Sequence, residues 1–75
     1  MKELLEFIAK SLVSEPDAVE VELVEKEGLT VLKLHVAEGD MGKVIGKQGR
    51  IAKAIRTVIK SAGNRIDKKV VVDII

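Results

Sequence analysis

Four consecutive residues, Gly46-Lys47-Gln48-Gly49, have the types and spacing of a turn that binds an anion. Glycine adopts backbone angles that other residues avoid, and it leaves the main chain open to close approach by a ligand. A helix that begins just after Gly49 would direct its unpaired amide hydrogens and the positive end of its dipole at the turn. Lys47 and Arg50 add positive charge at the same point. The segment therefore predicts a phosphate-binding turn.

Residues that could support other chemistry are scarce. The chain has one histidine, no cysteine and no pair of carboxylates in a cleft-like context. The sequence therefore predicts no catalysis and no metal or cofactor site. His35 alternates with apolar residues along a predicted strand, which places it on the exposed face of a sheet.

Hydrophobic periodicity predicts the elements that precede the turn. In residues 2–13 the apolar stripe has helical spacing and comprises Leu4, Leu5, Ile8 and Leu12. Pro16 stops this helix, because it has no amide hydrogen and favours an extended residue before it. Alternating apolar and charged residues then predict a hairpin of two strands, at about 19–25 and 29–37, joined by a short glycine turn.

The turn itself lies within a predicted helix–turn–helix over residues 40–62, followed by a last strand at 69–75. Asp40 is the expected N-cap of the first, short helix. The second helix is expected to end at Gly63-Asn64, since glycine commonly follows the last helical residue. Its expected apolar face comprises Ile51, Ala54, Ile55, Val58, Ile59 and Ala62.

The order αββααβ predicts an α+β fold in a single domain over residues 1–75, with three helices on one face of a three-stranded sheet. In the expected core, the second strand packs against the last helix. The residues expected at this contact are Leu32, Leu34 and Val36 on the strand and Ile51, Ile55 and Val58 on the helix.

Charge is distributed unevenly along the chain. Residues 1–40 contain four Lys and ten Asp or Glu, whereas residues 41–75 contain nine Lys or Arg and two Asp. This asymmetry is typical of a protein whose basic half binds a polyanion. The same asymmetry is expected if the two halves neutralise each other in the folded protein.

The chain is not expected to enter a membrane. No apolar stretch approaches the roughly 20 residues that span a bilayer. Glu3 and Glu6 lie where a signal peptide would be basic and then uniformly apolar. We therefore expect a cytoplasmic protein.

The run V-I-G-K-Q-G-R-I at residues 44–51, set between a strand and two helices, resembles the KH signature I-G-x-x-G-x-x-I. The last isoleucine of that pattern falls at Ala52, with Ile51 one place early, which is a small departure. The helix and strand before the core are similar to the type II KH arrangement. Over its whole length the chain resembles the small bacterial single-KH RNA-binding proteins of the KhpA type, most clearly in D-M-G-K-V-I-G-K-Q-G-R-I-A-K-A-I-R at residues 40–56.

The resemblance implies non-catalytic binding of single-stranded RNA. In KH domains the G-x-x-G loop clamps the backbone of about four nucleotides, and the bases lie in an adjoining aliphatic groove. The four turn residues would then hold phosphates. The other residues of the predicted site are Val44, Ile45 and Ile51 for the groove wall and Lys43, Arg50, Lys53 and Arg56 for a basic track.

The resemblance also implies protein partners and a cellular role. A single domain without aromatic residues for base stacking should bind RNA weakly, and a partner would strengthen binding by multivalency. The implied partners are a second copy, as a homodimer, or a larger KH protein of the Jag type. The implied roles are RNA regulation, cell-wall growth and cell shape.

Several alternatives stay open at this point. The two glycines could serve only the helix–helix turn, Ile51 could be core, and the stripe Arg50-Lys53-Arg56-Lys60 could be an ordinary solvated helix face. The chain could instead be a protein-interaction subunit that uses the outward sheet face, where Val24, Val31, Val71 and Ile75 are expected. A DNA-binding helix-turn-helix is disfavoured by the surrounding strands and by the shortness of the first helix.

Overall fold

The computed structural model describes the whole chain, Met1–Ile75, as three helices and three strands in the order αββααβ. The elements are α1 Lys2–Leu12, β1 Glu20–Lys26, β2 Leu29–His35, α2 Met41–Ile45, α3 Arg50–Arg65 and β3 Lys69–Ile74. Short 3-10 turns precede β1, α2 and α3. The predicted order of elements is confirmed.

The sheet has the strand order β1-β2-β3, in which β1 and β2 are antiparallel and β2 and β3 are parallel. All three helices cover one face, because their buried residues join those of the strands in one hydrophobic cluster. The cluster comprises Leu5, Ala9, Val19, Val21, Leu32, Leu34, Val36, Val44, Ile55, Ile59, Val70 and Val72. The expected mixed architecture, with helices on one face of a three-stranded sheet, is therefore confirmed.

The buried side of α1 differs from the predicted stripe. Leu5 and Ala9, four residues apart, are fully buried, and Ile8 is partly buried. Leu4 and Leu12 are each 37% exposed. The prediction gave no weight to alanine, whose small side chain lets the helix approach the sheet closely.

The buried side of α3 is also rotated from the expected face. Ala52, Ile55 and Ile59 are buried, whereas Ala54 and Val58 are exposed. The expected packing of Val58 against β2 was therefore wrong, while that of Ile55 was right. On the side of α3 that faces the sheet, Ala52 and Gly63 accompany Ile55 and Ile59 in place of the predicted Ala54 and Val58.

Helix α3 continues to Arg65, so the prediction that Gly63-Asn64 ends it was wrong. Gly63 is buried inside the helix, where an added Cβ would lie 2.9 Å from the carbonyl oxygen of Lys68 and 2.9 Å from Cγ2 of Val70. Glycine is present because α3 packs closely on the start of β3. The chain turns away only at Asp67, which has a left-handed backbone with φ of 55°.

None of the three helices has the length and apolar character that crossing a membrane requires.

Candidate nucleic-acid interface

The turn between α2 and α3 has an unusual backbone. Gly46 has φ of 75° and ψ of 178°, a region that is nearly exclusive to glycine. Gln48, at φ 56° and ψ 26°, and Gly49, at φ 73° and ψ 16°, are both left-handed. These backbone angles let the chain reverse its direction within four residues. The side chains of Lys47 and Gln48 are exposed.

The side chain of Ile51 packs against Gly46 and fixes this backbone conformation. A Cβ added at Gly46 would lie 2.6 Å from Cγ1 of Ile51, which is closer than real carbon atoms approach. Ile51 is itself partly buried and packs against the hydrophobic core. The turn is therefore anchored to the core by a contact that only glycine permits.

The predicted wall residues differ in accessibility. Val44 is fully buried in the core, so its side chain is not accessible to a ligand in the groove. Ile45 is 37% exposed beside the turn, and Ile51 is half-buried against Gly46. Ala52, at the last position of the motif, is buried.

Asp40 lies at the N-cap position of α2 but makes no capping hydrogen bond, so the capping prediction was wrong. Its carboxylate oxygens instead accept hydrogen bonds from the backbone N–H groups of Ser14 (3.1 Å) and Glu15 (3.0 Å). Lys43 Nζ lies 3.3 Å from one of these oxygens and also donates to Ser14 Oγ. We refer to Asp40, Lys43, Ser14 and Glu15 as the Asp40 latch.

The latch joins the end of α1 to the start of α2, and so holds the helix that leads into the turn. The hydrogen bond from Ser14 N–H is the main reason that the pKa of Asp40 is lowered, and Glu15 N–H and Lys43 lower this pKa further, whereas desolvation raises it. Lys43, predicted for the basic track, is thus already paired with a carboxylate.

Four of the five basic residues of α3 fall into two groups, and the fifth, Arg65, is the last residue of the helix. Arg50 is exposed at the turn itself. Lys53, Arg56 and Lys60 share one side of the helix, because residues three and four apart are neighbours on a helix surface. Arg56 Nε donates a hydrogen bond to the carbonyl oxygen of Val72 at 3.4 Å, which shows that this side faces β3.

A shallow groove runs between α3 and β3. Its lining residues are Arg56, Lys60, Val70, Val71 and Val72. The lining contains two cations and no carboxylate, and β3 is an edge strand with no neighbour on this side. The combination of positive charge, aliphatic surface and an open strand edge fits a single-stranded nucleic acid.

Two components of this groove were absent from the predicted site. Lys60 continues the spacing of Lys53 and Arg56, so the stripe on the helix was a signal for it. The local sequence does not indicate that β3 lines the groove, because its place beside α3 depends on which strand pairs with β2.

The chain matches the family model described as KhpA/KhpB, KH domain, over residues 2–74. It belongs to this family. It is 65% identical over 75 residues to the RNA-binding protein KhpA of Clostridium acetobutylicum and 63% identical to that of Clostridium perfringens, and both alignments cover the full length of both chains. The KhpA of Caldanaerobacter subterraneus is 55% identical over the same length.

The predicted KH family is therefore confirmed, and the family is non-catalytic. Solved structures of Era share the fold at 22% identity. One is Aquifex aeolicus Era bound to GDP and aluminium fluoride, with a TM-score of 0.59, and the other is Era with MgGDPNP and nucleotides 1506–1542 of 16S ribosomal RNA, with a TM-score of 0.60. Each comparison covers 97% of this chain and 28% of the Era chain, so it establishes the KH fold alone.

Proposed function

We propose that this KH domain binds single-stranded RNA, with the phosphates at the Gly46–Gly49 turn and the bases in the α3–β3 groove. The observation that carries the proposal is the turn, whose glycine conformation exposes Lys47 and Gln48 at the start of α3. The names of the relatives, which are RNA-binding proteins, support RNA as the polyanion.

The groove favours modest sequence preference. Its apolar lining comes from three valines. The chain has no Trp or Tyr, and its one Phe is on α1 and does not line the groove. Without an aromatic platform, each base gains less from stacking, so phosphate contacts should dominate the affinity. We expect weak binding that falls steeply as salt is added.

The test is titration of a labelled single-stranded RNA with the wild type and with Lys47→Asp/Gln48→Asp, at two salt concentrations. The substitutions keep both glycines and lie at exposed positions, and they place two carboxylates where the phosphates would lie. A matched control is Lys10→Asp/Ser11→Asp on α1, which changes the net charge by the same amount away from the turn.

Loss of RNA binding in the turn variant, with the control and the wild type binding alike, would support the proposal. Equal binding by all three folded proteins, or binding by none, would overturn it. Lys60→Ala tests the groove separately: we expect uniform weakening across RNA sequences and a salt slope reduced by about one.

We further propose that the outer face of α1 and α3 docks a larger KH protein of the Jag type, so that two KH domains act on one RNA. This helical face carries Leu4, Phe7, which is 71% exposed, and Val58, which is 47% exposed. Leu4 and Val58 line one depression between the two helices. The family model describes KhpA and KhpB together, which supports a KH protein as the partner.

Val58→Asp should abolish association with the purified larger KH protein while single-stranded RNA binding by this chain alone persists. If a second copy of this chain occupies the face instead, sedimentation of the wild type alone will show a dimer that Val58→Asp removes. If the partner binds and RNA does not, the chain is a protein-interaction subunit. The RNA proposal then fails while the docking proposal stands.

A further inference from the structure

The backbone groups of β3 point alternately toward β2 and toward the groove. Ile75 N–H donates to the carbonyl oxygen of Leu34 at 3.0 Å, so the backbone of Ile75 is directed at β2. Successive residues of a strand direct their backbone groups to opposite sides, so those of Val70 and Val72 point away from β2. No strand lies on that outer side, and both residues line the groove.

Arg56 already occupies one of these outward groups. Its Nε donates a hydrogen bond across the groove to the carbonyl oxygen of Val72 at 3.4 Å. The N–H of Val72 points the same way and stays open toward the groove. Lys60, one turn further along α3, lines the groove without a bond of this kind.

The hydrogen bond also orients the guanidinium group of Arg56. A guanidinium presents its N–H donors in a rigid planar fork. Because Nε is bonded to β3, the two terminal amino groups form the free edge of this fork. A guanidinium plane that is already fixed loses less side-chain entropy when it binds a ligand.

The groove around Arg56 therefore offers donors rather than acceptors. The donors are the terminal amino groups of Arg56, the N–H of Val72 and the ammonium group of Lys60. The lining contains no side chain with an oxygen that could accept from a base. The carbonyl oxygen of Val72 accepts from Arg56, and the next outward carbonyl, that of Val70, lies about 6.6 Å along the strand.

We propose that Arg56 determines the base preference of this groove and selects bases with two adjacent hydrogen-bond acceptors, guanine and cytosine, over adenine and uracil. Guanine presents O6 and N7 side by side, and cytosine presents O2 and N3. The free edge of the guanidinium matches such a pair with two parallel hydrogen bonds, the geometry by which arginine recognises guanine in DNA. The inference rests on the proposed function, since it concerns the bases of an RNA bound in this groove.

Adenine and uracil lack two adjacent acceptors. In adenine, N1 and N7 each lie beside the amino group, and N3 stands apart from both. In uracil, the N3–H group separates the two carbonyl oxygens. Either base would place a donor against the donors of Arg56, and such a mismatch discriminates against it. Because the groove is open to water, we expect the low end of the range for one bidentate pair, about fivefold in affinity.

Arg56→Met tests the proposal at an exposed helix position, where a flexible apolar side chain is tolerated. The substitution removes the guanidinium and frees the carbonyl oxygen of Val72, beside the N–H of the same residue. This donor and acceptor match N1 and the amino group of adenine. The variant should therefore lose its preference for guanine and cytosine, and its relative affinity for adenine should rise.

Lys60→Met is the matched control. It removes the same charge from the same groove, but it breaks no hydrogen bond to β3. We expect it to weaken the binding of every RNA about equally, through lost attraction for phosphate, and to keep the order of preference.

The measurement is competition between short oligouridines that differ only in the central base, after circular dichroism has confirmed the fold of each protein. For the wild type we expect the guanine and cytosine oligomers to bind about fivefold more tightly than the adenine and uracil oligomers. An oligomer with 7-deazaguanine lacks N7 and should bind like the adenine oligomer. A preference for only one of guanine and cytosine, lost in Arg56→Met alone, supports the proposal and identifies the base edge.

A guanine preference that persists with 7-deazaguanine would overturn the proposal. So would a preference that Arg56→Met retains, or one that both methionine variants lose alike. If the wild type binds all the RNAs equally, the inference fails and RNA binding stands. If it binds none of them, the proposed function itself fails, and the inference fails with it.

Discussion

Two glycines, Gly46 in the turn before α3 and Gly63 in the last turns of α3, would each be crowded by an added methyl group, yet the crowding has a different origin at each position. At the start, Gly46 has a backbone conformation that other residues avoid, and its missing side chain makes room for Ile51. At the end, Gly63 is an ordinary helical residue, and its missing side chain makes room for Lys68 and Val70.

The difference separates a site from a packing contact. The Gly46 end exposes Lys47 and Gln48 to solvent, so its strained backbone presents polar groups to a ligand. Gly63 is buried and brings α3 onto the sheet. We therefore expect substitutions at the first end to change both stability and RNA binding, and substitutions at the second to change stability alone.

The largest effect should follow Gly46→Ala. The methyl group combines an unfavourable φ with a 2.6 Å contact to Ile51, so we expect a loss of about 2–4 kcal/mol in the free energy of unfolding. Urea unfolding followed by circular dichroism measures this, since the chain has no Trp or Tyr for fluorescence. RNA affinity of the protein that remains folded should fall as well.

A double variant separates the two causes of the stability loss in Gly46→Ala, which are the contact with Ile51 and the backbone strain. In an Ile51→Ala background the contacts with Cγ1 and Cδ1 are gone, and only the Cβ of residue 51 remains, 3.0 Å from the added methyl group. The same substitution should then cost mainly the backbone strain, about 1–2 kcal/mol. An unchanged cost in this background would show that Ile51 does not fix the turn.

A smaller effect is expected for Gly63→Ala. Alanine favours the helix by about 0.5–1 kcal/mol, but the contacts at 2.9 Å to Lys68 and Val70 force the helix away from β3. We expect a net loss of about 1–2 kcal/mol. RNA affinity of the folded protein should stay within about twofold, and a larger loss of affinity would break the contrast between the two ends.

Asp40→Asn tests whether the latch holds the turn end in place. The folded state lowers the pKa of Asp40, so the ionised carboxylate stabilises the fold above the ordinary carboxyl pKa, and this contribution is lost as the pH falls through the lowered value. We expect a lower melting temperature for the variant at pH 7 and convergence with the wild type in acid. A pH-independent difference would contradict an ionised latch.

The smallest effect should come from Gly42→Ala in α2. An added Cβ meets nothing within 4 Å, and φ is not in the left-handed region. Alanine should therefore stabilise the protein by about 0.5–1 kcal/mol through its helix preference. Chemical denaturation gives the sign, and a destabilised variant would show that α2 is more tightly packed than its open surface indicates.

Much of the fold was predictable because it rests on local patterns. The period of apolar residues identified α1 and the β1–β2 hairpin, and Gly46 and Gly49 located the turn before α3. The exact faces of the helices were harder to predict, because the buried Ala9 and Ala52 looked no more suitable for the core than the exposed Leu4 and Ala54.

The candidate site divides in the same way. Lys47, Gln48 and Arg50 follow from the sequence, since the turn and the helix start are local. Asp40 was misassigned as a cap because its hydrogen-bond partner Ser14 lies 26 residues earlier in the chain. A cap and a long-range latch have the same appearance in the sequence.

The sequence by itself determined the order of elements, the glycine turn and the KH family, because each depends on residues a few positions apart. Only the tertiary structure decided that Gly63 is a packing residue, that Asp40 holds α1 to α2, and that Arg56 and Lys60 meet β3 in a groove. These depend on contacts between segments distant in the chain, whose partners are selected by the packing of the whole core rather than by any local preference.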